Sequence, residues 1–308
     1  MQLKQVRSQE PDAARRKLYR RATWIAIGGN LLLTVLKGLV AWISGSSAVL
    51  SDAANSMSDT VYSLTMAAGL YLAQRPADET HPQGHSRFEP LVSLFIAGVM
   101  AAAAGTALWQ SIRRFAAGPR AIQTGWPIAV LVGSMLVKVI MYVLVRRVGR
   151  KAQSPAIWAS ARDNLADSLS SLAALIGVVG SRWIHPFFDP LAGTVVAVWI
   201  LYTAWQILRE NLGYLTGRAP PEDLIQRIAA VASQVPGVVD VHQVISEYVG
   251  PQLRVDMHID VDGSLPLERA HAITERVREA VEALPEVELV FVHVEPTEAS
   301  QHLHGQGK

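Results

Sequence analysis

Two short stretches place carboxylates inside long apolar runs. The first reads Ser51-Asp52-Ala53-Ala54-Asn55-Ser56-Met57-Ser58-Asp59, and the second reads Arg162-Asp163-Asn164-Leu165-Ala166-Asp167-Ser168. Asn55 and Asp59 stand four apart, as do Asp163 and Asp167. On a helix that spacing stacks two side chains on one face, about one turn apart. An ionisable group at the centre of a spanning helix costs about 2.5–3.5 kcal/mol on insertion scales, and it usually marks a site or a pathway. If the two helices run in opposite directions and pack together, Asn55 falls level with Asp167 and Asp59 with Asp163. Four oxygen-bearing side chains then meet near mid-membrane. Polar packing without a metal is the blander account. Two pairs matched in spacing and depth favour a cation.

Three carboxylates and one amide make a hard, oxygen-only set. Oxygen donors suit Mg, Ca and Mn, whereas imidazole and thiolate suit Zn, Cu and Ni. Magnesium gives up its waters reluctantly and is rarely caged by protein alone. Ligand chemistry therefore points to Mn²⁺, with Fe²⁺ next. Crowded, desolvated carboxylates favour their neutral form, so binding a metal would expel protons. Asn55 has no such proton to give. Asp52 lies seven residues before Asp59. It is expected nearer the outside, lining an exit or pairing with a cation. Lys138 sits at the centre of another apolar run. It can pair with an aspartate or snorkel toward water, and a structural ion pair is the preferred reading. Asn30 is expected to make an interhelical hydrogen bond.

Two further groups carry imidazoles. Asp78, His81 and His85 form a D-x-x-H-x-x-x-H pattern in a polar loop, with Gly84 allowing a tight turn beside His85. A carboxylate with neutral imidazoles is a zinc-type ligand set. Two solvated loop histidines are the alternative. Near the C-terminus stand His242, His258, His271, His293 and Glu295. Strand alternation would put His293 and Glu295 on one face. Spacing alone leaves open a metal site or scattered surface groups.

The elements that must hold these residues follow from composition. Half of the 308 residues are hydrophobic and mean hydropathy is +0.22. The apolar residues are clustered before Arg218 and ordinary thereafter. A spanning helix needs about 20 mostly apolar residues. Six such spans are expected near 22–44, 48–73, 91–114, 125–146, 157–181 and 187–209. Thirteen Lys and Arg flank the N-terminus and the second and fourth loops, against four in the other loops. The positive-inside rule then puts both termini in the cytoplasm. There is no cysteine, so disulfides and thiolate sites are excluded. The net charge of +2 gives no reason to expect a nucleic-acid partner. No cleaved signal peptide is read at the N-terminus.

After Pro220 the pattern changes. An amphipathic helix is expected over 221–235, strands over 238–249 and 252–262, a helix over 266–284 and a strand over 287–295. The order α-β-β-α-β suggests a small open sheet with helices on one face. The expected organisation is a cytoplasmic tail over 1–21, a six-helix transport domain over 22–212, a cytoplasmic domain over 219–296 and a disordered tail over 297–308.

The Ser47–Asp59 stretch, the Pro76–His85 loop, the Arg162–Ser168 stretch and the region after Pro220 together resemble the cation diffusion facilitator family. The resemblance covers about residues 15–296. It implies an all-α six-helix transmembrane domain followed by a cytoplasmic α+β, ferredoxin-like domain, usually as a homodimer. It implies export of Zn, Mn, Fe, Co or related ions in exchange for protons. It implies a transport site at Asn55, Asp59, Asp163 and Asp167, a loop site at Asp78, His81 and His85, and a cytoplasmic site at His242, His258, His271, His293 and Glu295. Zinc members usually carry histidine in the transport site and this chain has none, so it resembles the manganese-type bacterial branch. Arg87 and Gly217 stand where some zinc members carry a Lys–Asp interlock between protomers, so that contact is not expected.

The expected function is a proton-coupled Mn²⁺ exporter of the inner (plasma) membrane. The partners are divalent metal ions, protons and the bilayer, and no catalytic cofactor is needed. A Zn²⁺ or Fe²⁺ exporter is the alternative within the class. A metal-sensing subunit that does not transport is the rival from another class. No nucleophile–base set or phosphate loop supports an enzyme.

Overall fold

The computed structural model describes residues 13–44, 47–117, 126–183, 185 and 187–297. These fall into two compact units that divide between Leu212 and Gly213.

The first unit is helical: α1 (Ala13–Ser44), α2 (Ser47–Ala73), α3 (Phe88–Ala117), α4 (Trp126–Ala152), α5 (Pro155–Trp183) and α6 (Phe188–Leu215). The shortest has 27 residues. At 1.5 Å per residue that is about 40 Å, enough to cross a hydrocarbon core of about 30 Å. By length and composition alone, α1 over Ala13–Val40 and α3 over Phe88–Arg113 qualify as spans, with mean hydropathy 1.5 and 2.1. The apolar runs of α2 and α5 are interrupted by the carboxylates that make them interesting. Helix α1 begins well before its apolar span, where a tail was expected. Its first turns are held by packing: Tyr19 is buried and its hydroxyl donates to Glu89 Oε2 on α3, beside the Arg15 guanidinium.

The helical unit has a buried apolar cluster that includes Tyr19, Met66, Leu70, Ile96, Met100 and Ile157, and beside it both buried polar and exposed apolar residues. Ser56, Ser63, Ser93, Ser160, Asn164 and Ser168 are buried, while Leu31, Val35, Leu36, Leu39 and Trp42 of α1 are exposed. Small and polar residues between helices, with large apolar residues outside, are what an apolar solvent selects. Helix α4 packs along α5, α1 along α2, and α1 along α4. Asn30 makes the interhelical bond expected of it, donating to Ser63 Oγ at 2.7 Å.

The second unit holds α7 (Glu222–Ser233), β1 (Asp240–Val249), β2 (Gln252–Val261), α8 (Leu267–Glu282) and β3 (Val287–Pro296). The sheet order is β1-β2-β3, with β1 antiparallel and β3 parallel to the central β2. This is the α-β-β-α-β, ferredoxin-like α+β arrangement. Strand β2 alternates cleanly: Leu253, Val255, Met257 and Ile259 face a core closed by Ile228 of α7 and Ile273, Val277 and Val281 of α8. Its other residues, among them His258 and Asp260, point to the opposite face. The tail expected over 297–308 lies outside the described residues from 298 onward.

Helices α2 and α3 meet closely at Gly69. A Cβ built there would lie 2.1 Å from Val92 Cγ2. Valine is stiff at χ1 and cannot swing aside cheaply. Gly69→Ala is expected to destabilise the helical unit by about 1–3 kcal/mol, the usual cost of overpacking. Val92→Ala in the same chain should recover most of it, read as the thermal unfolding midpoint of detergent-solubilised protein.

Candidate metal centres

In the membrane domain, Asp59 on α2 and Asp163 and Asp167 on α5 are brought within electrostatic reach of one another. The group that gathers them comes from a third helix. Lys138 of α4 places its Nζ 2.9 Å from Asp59 Oδ2 and 2.6 Å from Asp167 Oδ2. The lysine is 4% exposed. Depth matching from sequence set Asp59 level with Asp163. In the structure Asp59 and Asp167 share a cation, which α4, running along α5, supplies. Asp52 and Asn55 belong to α2, and their side chains lie outside the described residues.

Two neighbours of this cluster escaped the sequence reading. Tyr62, one turn beyond Asp59, is buried near all three aspartates, and its hydroxyl has no hydrogen-bond partner among the described residues. The i,i+3 spacing from Asp59 was its signal. Lys37 of α1 is also buried and acts on Asp59 through its charge. Its position within the first apolar run was visible in the sequence.

The loop group is closed. Asp78, His81 and His85 offer ligand atoms that all lie within 4.8 Å of one another. Asp78 Oδ1 accepts from Thr80 Oγ1 at 2.7 Å and from the amides of Thr80 and His81. These bonds, the Thr80 hydroxyl first, pull the Asp78 carboxyl down to about 2. Having given its proton to Asp78, Thr80 Oγ1 can only accept from His81 Nδ1, 2.9 Å away. His85 Nδ1 is 3.1 Å from the Pro76 carbonyl, which also can only accept. Both rings therefore donate from Nδ1, which leaves Nε2 as the nitrogen turned toward the group, that of His85 lying 3.4 Å from Asp78 Oδ2. Gly84, at φ +101°, makes the tight turn and returns its amide to the His81 carbonyl at 2.9 Å. A side chain there would be strained.

The C-terminal unit assembles its group on the open face of the sheet. The parallel register pairs His258 with His293 and Asp260 with Glu295. His258 Nδ1 donates to Glu295 Oε1 at 2.8 Å, and that same oxygen lies 3.6 Å from His293 Nε2 and 3.9 Å from His242 Nε2. The His258 hydrogen bond, helped by the imidazole charges, holds Glu295 below the usual carboxylate range. His242 reaches the group through a register shift between Val241 and Gln243. Such a bulge re-aims a side chain. His242, His258 and Glu295 offer ligand atoms within 4.8 Å of one another. His293 is alongside, its ring 4.7 Å from that of His258, and more exposed. His271 is not brought in. It is exposed on α8, and α8 covers the other face of the sheet. Asp260, which sequence reading missed, is buried 3.3 Å from His242 Nδ1. The repeat His-x-Asp at 258–260 and His-x-Glu at 293–295 was its signal.

The chain matches the cation efflux transmembrane domain over residues 23–216 and the cation efflux protein cytoplasmic domain over residues 220–297. An uncharacterized transporter of Methanocaldococcus jannaschii is 33% identical over 275 residues, covering 88% of this chain and 96% of its own. The magnetosome protein MamM of Paramagnetospirillum magneticum is 30% identical over 287 residues, covering 91% and 89%. The manganese efflux system protein MneS of Bacillus subtilis is 26% identical over 277 residues, covering 89% and 94%.

Asp260→Asn, which removes a buried carboxylate charge 3.3 Å from His242 Nδ1, is expected to weaken metal binding by the C-terminal unit about tenfold or more. His271→Ala should leave it unchanged. Calorimetric titration of the full chain carrying Asp59→Ala, His81→Ala and His85→Ala isolates this group.

Proposed function

Because the chain belongs to the cation efflux family, whose members are membrane transporters and not enzymes, we propose that it exports Mn²⁺ in exchange for protons by alternating access. Metal enters from the cytoplasm and binds Asn55, Asp59, Asp163 and Asp167. The helices rock, the site opens outward, and protons replace the metal on the aspartates. The observation that carries this reading is the convergence of Asp59 and Asp167, from two helices, on a single buried cation. Two carboxylates of different helices that already share one cation support their reading as ligands of another.

Manganese is chosen on ligand hardness, since the set is oxygen only. The manganese efflux relative in Bacillus subtilis supports the choice. The loop and C-terminal groups contain imidazole and are softer, so their preference need not follow the cargo's. We assign them to sensing. The protein works as a homodimer of the plasma membrane with both termini in the cytoplasm, and cytoplasmic metal draws the two C-terminal units together and favours transport.

Proteoliposomes with an imposed pH gradient test the reading. Mn²⁺ flux should exceed Zn²⁺ and Fe²⁺ flux and should collapse when the gradient is removed. Asp59→Ala and Asp163→Ala should each lower it at least tenfold, as expected for loss of a ligand. Asn55→His should shift preference toward Zn²⁺ by about tenfold. Faster Zn²⁺ than Mn²⁺ flux in the natural chain would overturn the choice of cargo.

A further inference from the structure

Lys138 touches the two carboxylates that the proposed site draws from different helices. We infer that its ammonium is a tethered counter-cation that the transported metal displaces and that returns when the metal leaves. The inference rests on reading Asp59 and Asp167 as metal ligands.

The geometry carries it. One Nζ lies 2.9 Å from Asp59 Oδ2 and 2.6 Å from Asp167 Oδ2, and the residue is 4% exposed. Those two oxygens hold the lone pairs that a metal joining α2 to α5 would use. Two cations on one pair of oxygens repel each other strongly where water is scarce. Metal can then take the pair only as the ammonium gives it up. Lysine suits the task, being a compact point charge on a flexible four-carbon stem. An arginine fork would hold the carboxylates in a fixed bidentate geometry and let go less readily.

The counter-cation solves a problem that any such carrier meets. After release, a half-buried carboxylate that holds neither metal nor proton is costly beside a low-dielectric interior. Lys138 compensates Asp59 and Asp167 and ties α2 and α5 to α4, so the released carrier keeps its helices together. It also weakens metal binding, since every binding event must break the lysine contacts. Weaker binding of the cargo permits faster release. Lys37, the other buried cation near Asp59, comes from α1 and acts on Asp59 by its charge.

The expected signature is a fall in both KM and kcat, the pattern left when a ground-state penalty is removed. In proteoliposome Mn²⁺ flux, Lys138→Gln should lower each about tenfold, while Lys138→Arg, which keeps the charge and gives up the carboxylates less readily, should not lower KM. A lysine that merely holds the helices together would lower kcat or protein yield without lowering KM. The chain has no cysteine, so Lys138→Cys supplies a second neutral variant that can be aminoethylated to restore an ammonium. Aminoethylation should return KM and kcat toward the natural values. Unchanged or raised KM in the neutral variants, or no recovery on aminoethylation, overturns the inference, provided that Asp59→Ala abolishes flux. If Asp59→Ala transports at the natural rate, the ligand assignment itself has failed.

Discussion

A charged group can stay inside a low-dielectric helix bundle only if something of opposite charge stays with it. In this protein Lys138 meets that requirement with Asp59 and Asp167. Three helices are tied by it. Asp59 fixes the rotation of α2, Asp167 that of α5, and Lys138 that of α4, because each must aim at a common point. Around them buried polar residues such as Ser56, Ser63, Asn164 and Ser168 share the interior with an apolar cluster that includes Met66, Ile96, Met100 and Ile157, while other large apolar residues are turned outward.

The three candidate centres are built from different ligand chemistry. The membrane cluster is made of carboxylates and an ammonium carried by three helices. The loop and C-terminal groups are made of imidazoles whose Nδ1 protons are given to fixed acceptors, the Thr80 hydroxyl, the Pro76 carbonyl and Glu295. Such fixing orients the remaining nitrogen and settles the tautomer. A site that must release its cargo in every cycle gains from a competing cation. A site that reports metal concentration gains from preorganisation. In the proposed exporter the same ion meets both kinds of site, and selectivity at one does not dictate selectivity at the other.

Much of this was legible along the chain because helices and strands announce themselves by period. The apolar runs at 91–114 and 157–181 became Phe88–Ala117 and Pro155–Trp183, and the alternating run at 252–262 became Gln252–Val261. The helices outlast their apolar runs because polar turns continue them at the ends, as Tyr19 and Glu89 do for α1 and α3. The i,i+4 aspartates and the D-x-x-H-x-x-x-H loop were visible for the same reason. Each is a local pattern whose geometry follows from one element or one turn.

What tertiary structure alone decided is which element faces which, and from what angle. Sequence placed Lys138 at mid-depth in α4 but could not say that it would turn toward α2 and α5 together, since rotation about a helix axis is set by its neighbours. It read the C-terminal histidines as one set. Sheet register then joined His258, His293 and Glu295 on one face, a bulge carried His242 to them, and α8 left His271 on the other side. Register and bulges are agreements between strands distant in sequence. The chain by itself determined the ligand types, their spacing and the elements that carry them. Packing determined their company, because a buried charge settles wherever the folded neighbours offer a counter-charge.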